Sequence, residues 1–109
     1  MNPEDHAEAI RELSPHYGEA KAQRIYLEEF RKSKKAMLMR DALLNGIEAA
    51  NHQEREAYSN PEYLSLLKGL ATAIEKEETL RWQLESHRLE IEIWRSREAT
   101  NRQTDNAHR

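Results

Sequence analysis

The stretch "SNPEYLSLLKGLATAIEKEETLRWQLESHRLEIEIW", residues 59–94, decides the fold. Tyr63, Leu66, Leu70, Ala73, Glu77, Leu80, Leu84, His87, Ile91 and Trp94 fall at alternating spacings of three and four. That pattern puts them on one stripe of a helix with a coiled-coil period. The head of the stretch is a helix start: Ser59 or Asn60 stands at the cap, Pro61 suits the first turn, and Ser59 with Glu62 has capping-box spacing. Between Pro61 and about Thr100 only Gly69 interrupts, at a cost of about 1 kcal/mol.

Toward the N-terminus, no strong breaker is read between Gly18 and Ser59. That segment carries a looser stripe of Tyr26, Phe30, Ser33, Met37, Arg40, Leu44 and Ile47, widened by Leu27, Leu38 and Leu43. Further upstream, Asn2 can cap and Pro3 can open a short helix, which is expected to stop before Ser14-Pro15 because proline disfavours helix at the residue preceding it. The expected organisation is therefore a short N-terminal helix and linker over 1–18, a helical hairpin over 19–103 with helices at about 19–57 and 61–100, and a polar tail over 104–109. The fold class is all-α: an antiparallel long-helix hairpin of coiled-coil type. Folding at residues 59–60 would set Phe30 near Leu89, Met37 near Trp82 and Tyr26 near Trp94, with the aromatic pairs clamping the open end.

A two-helix hairpin encloses no core. Leu67, Ile74, Leu89 and Ile93 fall outside the stripe and stay wet, and that much uncovered apolar surface argues for assembly into an oligomeric helical bundle. The expected oligomer seam is Phe30, Met37, Leu44, Leu66, Leu70, Leu80, Leu84, Ile91 and Trp94.

The composition fits this reading. Charged residues make up 34% against 38% hydrophobic, with three glycines and three prolines, as in long charged helices rather than sheets. No window approaches the ~18 apolar residues of a spanning helix, and "MNPEDHAEAI" is acidic where a signal peptide would be basic. With no cysteine there is no disulfide, which fits a cytoplasmic setting. The net charge of −3 argues against a general nucleic-acid binder, but the charge is unevenly placed. Residues 21–40 hold seven bases against Glu28 and Glu29, while residues 41–80 hold eight acids against three bases.

Two features are candidates for binding. Arg81, Arg88, Arg95 and Arg102 stand seven apart, with Arg109 continuing the count, one position beyond the apolar stripe where coiled coils place charges. Acids lie within helical reach of each: Glu77 and Glu78 for Arg81, Glu85 for Arg88, Glu92 for Arg95 and Glu98 for Arg102. The run "RKSKKAMLMR" at 31–40 has five bases and no acid, and folding at 59–60 would bring Arg31 toward Arg88 and Arg24 toward Arg95. The candidate contacts for an anion, single-stranded DNA or a protein partner are Arg24, Arg31, Lys32, Lys34, Lys35, Arg88 and Arg95. Other chemistry is poorly represented. Glu48, His52 and Glu56 lie four apart, but the Glu-x-x-His pairs of carboxylate-bridged metal bundles are missing, so no metal and no cofactor is expected. His87 and Glu77 read as polar groups that fix the register of the seam. There is no glycine-rich phosphate loop and no cysteine nucleophile, so no enzyme is expected.

The segments "YLEEFRKSKKAMLM" at 26–39, "HQEREAYSNPEYLSLLKGL" at 52–70 and "LRWQLESHRLEIEIWRSREATNR" at 80–102 resemble a group of small helical proteins of tailed bacteriophages and prophages. The resemblance covers roughly residues 20–103. Its most distinctive pieces are "QEREAY", the Asn-Pro-Glu-Tyr turn and the "WR" at 94–95. It implies a host-cytoplasm setting beside recombination and replication proteins such as single-strand annealing recombinases, and it supplies no catalytic residue. Taken together, the sequence leads one to expect a self-associating, non-enzymatic accessory of DNA recombination or replication that does not bind membranes. The alternatives are an inhibitor that offers the acids around Glu54–Glu78 to a host nuclease or defence protein, and a purely structural assembly piece.

Overall fold

The computed structural model describes residues 1–108, and among these it is all-α: α1 (Pro3–Leu44), α2 (Ala50–Ser59) and α3 (Pro61–Ala107). The chain divides into two compact units, one of Glu19–Glu77 and one of Met1–Gly18 with the helix from Glu78 onward, so α1 and α3 each lend a segment to both. No described helix is long and apolar enough to cross a membrane.

α1 starts as its sequence indicates. Asp5 N–H donates to Asn2 Oδ1 at 2.9 Å and Asn2 N–H donates to Asp5 Oδ2 at 3.0 Å, a reciprocal cap that occupies two otherwise orphaned donors. The helix does not stop at Ser14. It continues through Pro15, which forgoes the bond to the Arg11 carbonyl at a local cost of about 3 kcal/mol. Ile10, Leu13 and Tyr17, on either side of the proline, are half-buried. Tertiary packing of that face outweighs the local penalty, so the short helix expected over 1–18 is the first part of a 42-residue one.

The second correction lies at the other end of α1. The expected helix over 19–57 breaks at Asn45-Gly46, where Gly46 has φ +95. Gly46 N–H donates to Leu43 O and Ile47 N–H to Ala42 O, both at 3.0 Å, closing the helix with the paired bonds of a Schellman motif. The chain then re-enters helix as α2 without a capping side chain, and Gln53 Nε2 donates to Ile47 O at 2.8 Å, holding the connection against the helix. At the start of α3, Asn60 Oδ1 accepts from Glu62 N–H at 2.8 Å. Ser59 turns back to donate to Arg55 O at 2.9 Å, so Asn60 is the cap and the Ser59–Glu62 box is not formed. α3 runs on to Ala107, past the polar tail expected from residue 104.

The reversal therefore spans residues 45–60 rather than a tight turn at 59–60, and the register of the helix pair changes with it. Within the Glu19–Glu77 unit, Lys34 reaches Glu62 and Arg24 reaches Glu77, an antiparallel pairing. Phe30 shares a groove with Leu66 and Gly69 instead of meeting Leu89. Ala57, fully buried, plugs α2 against Leu38 and Tyr63, with Met39 and Leu67 packed around them. In the other unit His6 meets His87, so the pairing there is antiparallel as well.

The stripe read on α3 is the packing face. Tyr63, Leu70, Ala73 and Glu77 are buried, and Leu66, Leu80, Leu84, His87 and Ile91 are half-buried. The stripe read on α1 is not. Met37 and Leu44 are exposed, and the inward column is instead Ile10, Leu13, Tyr17, Ala20, Arg24, Leu27, Arg31, Lys34 and Leu38. The rings of the expected aromatic clamp, Tyr26, Trp82 and Trp94, are all exposed. Ile74, Leu89 and Ile93 stay wet as expected, while Leu67 is drawn into the cluster beneath α2.

Gly46→Ala forces a side chain into a backbone region that L-residues adopt only at about 1–2 kcal/mol. The expected outcome is a fall in the thermal midpoint of roughly 5 °C or more, read by circular dichroism with the helix content of the folded state unchanged.

Candidate functional site

The basic cluster forecast from the sequence sits on α1 in the Glu19–Glu77 unit. Arg24 is built into the seam. Its Nε donates to Glu77 Oε2 at 2.7 Å and its Nη2 to Glu77 Oε1 at 3.0 Å, while Nη1 reaches Glu28 Oε2 at 3.0 Å. Side-chain exposure is 24% for Arg24 and 8% for Glu77, so this bidentate pair belongs to the packing of the helices. Glu77 first, then Glu28, holds the guanidinium above its ordinary pKa. Glu77, a carboxylate among the apolar positions of α3, thus has a seam partner, and the partner is another residue that the sequence pattern had assigned elsewhere.

The neighbouring cations are engaged too. Lys34 Nζ lies 2.9 Å from Glu62 and Lys32 Nζ lies 3.2 Å from Glu29. Lys35 pairs with Glu54 at 3.4 Å and sits over the Tyr58 ring at 4.7 Å to the centroid. The contact with Tyr58, and secondarily Glu54, raises the Lys35 pKa. Tyr58 in turn meets Tyr63 edge-on at 5.4 Å, which ties the lysine to the buried cluster. Of the seven forecast contact cations, Arg31 has no carboxylate partner among the described residues, and it is half-buried on the inward column.

Arg88 and Arg95 belong to the other unit and spend their charge along their own helix. Arg88 pairs with Glu85 at 2.9 Å and Arg95 with Glu92 at 3.4 Å, as Arg81 does with Glu78 at 2.7 Å. Arg88 holds the Glu85 carboxyl below its ordinary pKa, and Glu85 raises the arginine in return. Arg81 also lies over the Trp82 ring at 4.9 Å. Arg102 departs from the series: its Nε donates to the Glu98 backbone carbonyl at 3.4 Å rather than to the carboxylate. Arg109 lies outside the described residues.

Two arrangements went unread in the sequence. His6 and His87 bring their Nδ1 atoms to 2.8 Å with the rings tilted at 50°, so one imidazole donates to the other. The signal available was His87 on the stripe, but nothing in the sequence marked His6 as its partner. Among the described residues no group of three metal-ligating side chains forms. The second is an open groove of about 590 Å³ floored by Phe30 and Leu66 and rimmed by Lys34 and Glu62. Its neighbours on α1, Tyr26 and Phe30, stack with centroids 5.9 Å apart.

No family model, curated protein or solved structure matches the chain.

If Arg24–Glu77 is part of the packing, its two halves are unequal to lose together and apart. Glu77→Ala strands a guanidinium in the seam and is expected to lower the melting midpoint by roughly 5 °C or more. Arg24→Leu combined with Glu77→Leu is expected to melt at or above the parent, because an apolar pair fills the seam without stranded charge. Removing Glu85 from its exposed pair is expected to change little. Thermal scans of the three variants check all of this.

Proposed function

We propose that the chain is a non-enzymatic accessory of DNA recombination or replication, working in the host cytoplasm through protein contacts, with self-association first, and not through direct contact with phosphate. One observation carries the protein-contact reading. Six of the seven cations that would grip a phosphate backbone, all but Arg31, are already matched within the chain: Arg24, Lys32, Lys34, Lys35, Arg88 and Arg95 each have a carboxylate partner. Backbone binding draws its affinity from uncompensated cations that displace counterions, so a surface neutralised in this way is a poor one for DNA. Large apolar side chains, by contrast, are left open on both long helices, including Tyr26, Met37, Leu44, Leu89 and Trp94. Surfaces of that kind mark sites of protein association.

The recombination or replication setting is supported by the resemblance of residues 20–103 to small helical phage proteins, and the partner class it suggests is a single-strand annealing recombinase. The sequence, which offers neither a cysteine nucleophile nor a glycine-rich phosphate loop, supports the non-enzymatic part of the reading.

Two measurements on the purified full chain test this. Light scattering over a dilution series is expected to give at least two copies. Single-stranded DNA is expected to pass unretained at ~50 mM salt, where phosphate contacts are strongest. Retention that disappears on charge reversal at Lys32, Lys34 and Lys35 would overturn the exclusion of DNA. The setting is tested separately, by co-sedimentation with a purified annealing recombinase. A chain that sediments alone removes that partner class.

A further inference from the structure

α1 carries two stripes of heptad spacing, and the fold uses one. The inward column packs on α3. The other, Tyr26, Phe30, Ser33, Met37, Arg40 and Leu44, keeps the same three-and-four spacing but, apart from the half-buried Phe30, faces out: Tyr26 is 60% exposed, Met37 45% and Leu44 76%. A stripe of that spacing is the seam of a helix pair, so it defines what fits it: another helix lying along α1. Phe30 lies at the middle of the stripe and also floors the open groove beside Leu66 and Gly69, a recess beside the exposed Tyr26 ring. An added Cβ at Gly69 would meet nothing within 4 Å, so the groove wall there is free to receive a side chain.

The charges at its two ends select the occupant. The spacing continues to Glu19 at the N-terminal side, and Arg40 falls on it toward the C-terminal side, between Met37 and Leu44. Both are exposed, and neither has an ion partner within the chain among the described residues. A second α1 laid parallel would set Glu19 on Glu19 and Arg40 on Arg40. Laid antiparallel, with a two-fold axis beside Phe30, it sets each glutamate within an arginine's reach of the other copy's Arg40 and gathers the Tyr26 and Phe30 rings of both copies at the centre. The face is self-complementary in one orientation, as an isologous interface requires.

We propose that this stripe is the dimer interface: two copies join α1 to α1, antiparallel about Phe30, with paired Glu19–Arg40 contacts at both ends. The proposal rests on the self-association put forward above and specifies its surface. Charge pairs at the edge of such an interface set orientation and register.

The experiment is a charge swap on the full chain, read as the dimer dissociation constant by analytical ultracentrifugation. Glu19→Arg alone and Arg40→Glu alone each create two like-charge contacts per dimer, and each is expected to weaken association about tenfold or more. The double variant restores opposite charges at both ends, and its constant is expected to return to within about threefold of the parent. Met37→Lys, at an exposed position off the inward column, is expected to abolish the dimer while leaving the helix content and melting midpoint of the chain unchanged. Single reversals that leave the constant unaltered place association on another face and overturn this interface, while self-association stands. Weakening by both singles without recovery in the double overturns the antiparallel pairing. A parent chain that stays single at every concentration overturns both the interface and the self-association beneath it.

Discussion

Within the Glu19–Glu77 unit the two long helices meet on a seam that contains charge, and the match of Arg24 to Glu77 across it fixes how the helices lie. Arg24 and Arg31 occupy positions of α1 where a coiled coil ordinarily places leucine or isoleucine, and Glu77 occupies such a position on α3. A guanidinium packed against a helix is tolerated only if its donors are occupied, and Arg24 places three of them on two carboxylates. The fork geometry ties Arg24 to one carboxylate at one level of α3. A slip of the pair by one heptad would set Arg24 level with the leucines of the seam and strand Glu77 as well. The ion pair therefore contributes less to net stability than to the choice of one register among several that the leucines alone would accept.

That register also explains why α2 is needed. With Arg24 committed to Glu77 and Lys34 to Glu62, α1 must end well before α3 begins, and the residues between cannot be a tight turn. Asn45-Gly46 ends α1, and the ten residues of α2 lie over the reversed end of the pair, where Ala57 is small enough to be buried against Leu38 and Tyr63. Lys35 closes the other side of this corner through Glu54 and Tyr58. The only compact apolar cluster among the described residues is formed where three helical segments meet, which is the least that can surround a side chain.

The sequence was informative where packing and polarity agreed. On α3 the apolar stripe and the packing face coincide, so Tyr63, Leu70 and Ala73 were readable, as was the cap at Asn60. On α1 they disagree. The stronger apolar stripe, through Phe30, Met37 and Leu44, is the one left outside, while the packing face carries Arg24, Arg31 and Lys34. Periodicity ranks faces by hydrophobicity and cannot see that the stems of long cations pack while their heads reach carboxylates on a neighbouring helix. Gly46 was passed over for a related reason: a single glycine after Leu43-Leu44 is either a tolerated flaw or a C-cap, and only the positive φ tells them apart. Pro15 erred the other way, a strong local signal overruled by burial on both sides of it.

The same disagreement on α1 bears on the candidate site. The five bases of residues 31–40, with Arg24, Arg88 and Arg95 brought near by folding, suggested a surface for anions, because sequence alone does not show which acids stand opposite. Folded, Arg24 faces Glu77, Lys34 faces Glu62 and Lys35 faces Glu54, acids drawn from the segment that had looked like a separate acidic block. Three cations of the basic run of 21–40 thus meet acids of the run of 41–80 across the fold. On α1 the groups left exposed and unmatched are Tyr26, Met37 and Leu44 together with charges such as Glu19 and Arg40. On α1, Tyr26, Met37 and Leu44, which read as core, are outside, while the buried Ala20 and Leu38 lie on the column that also carries Arg24, Arg31 and Lys34.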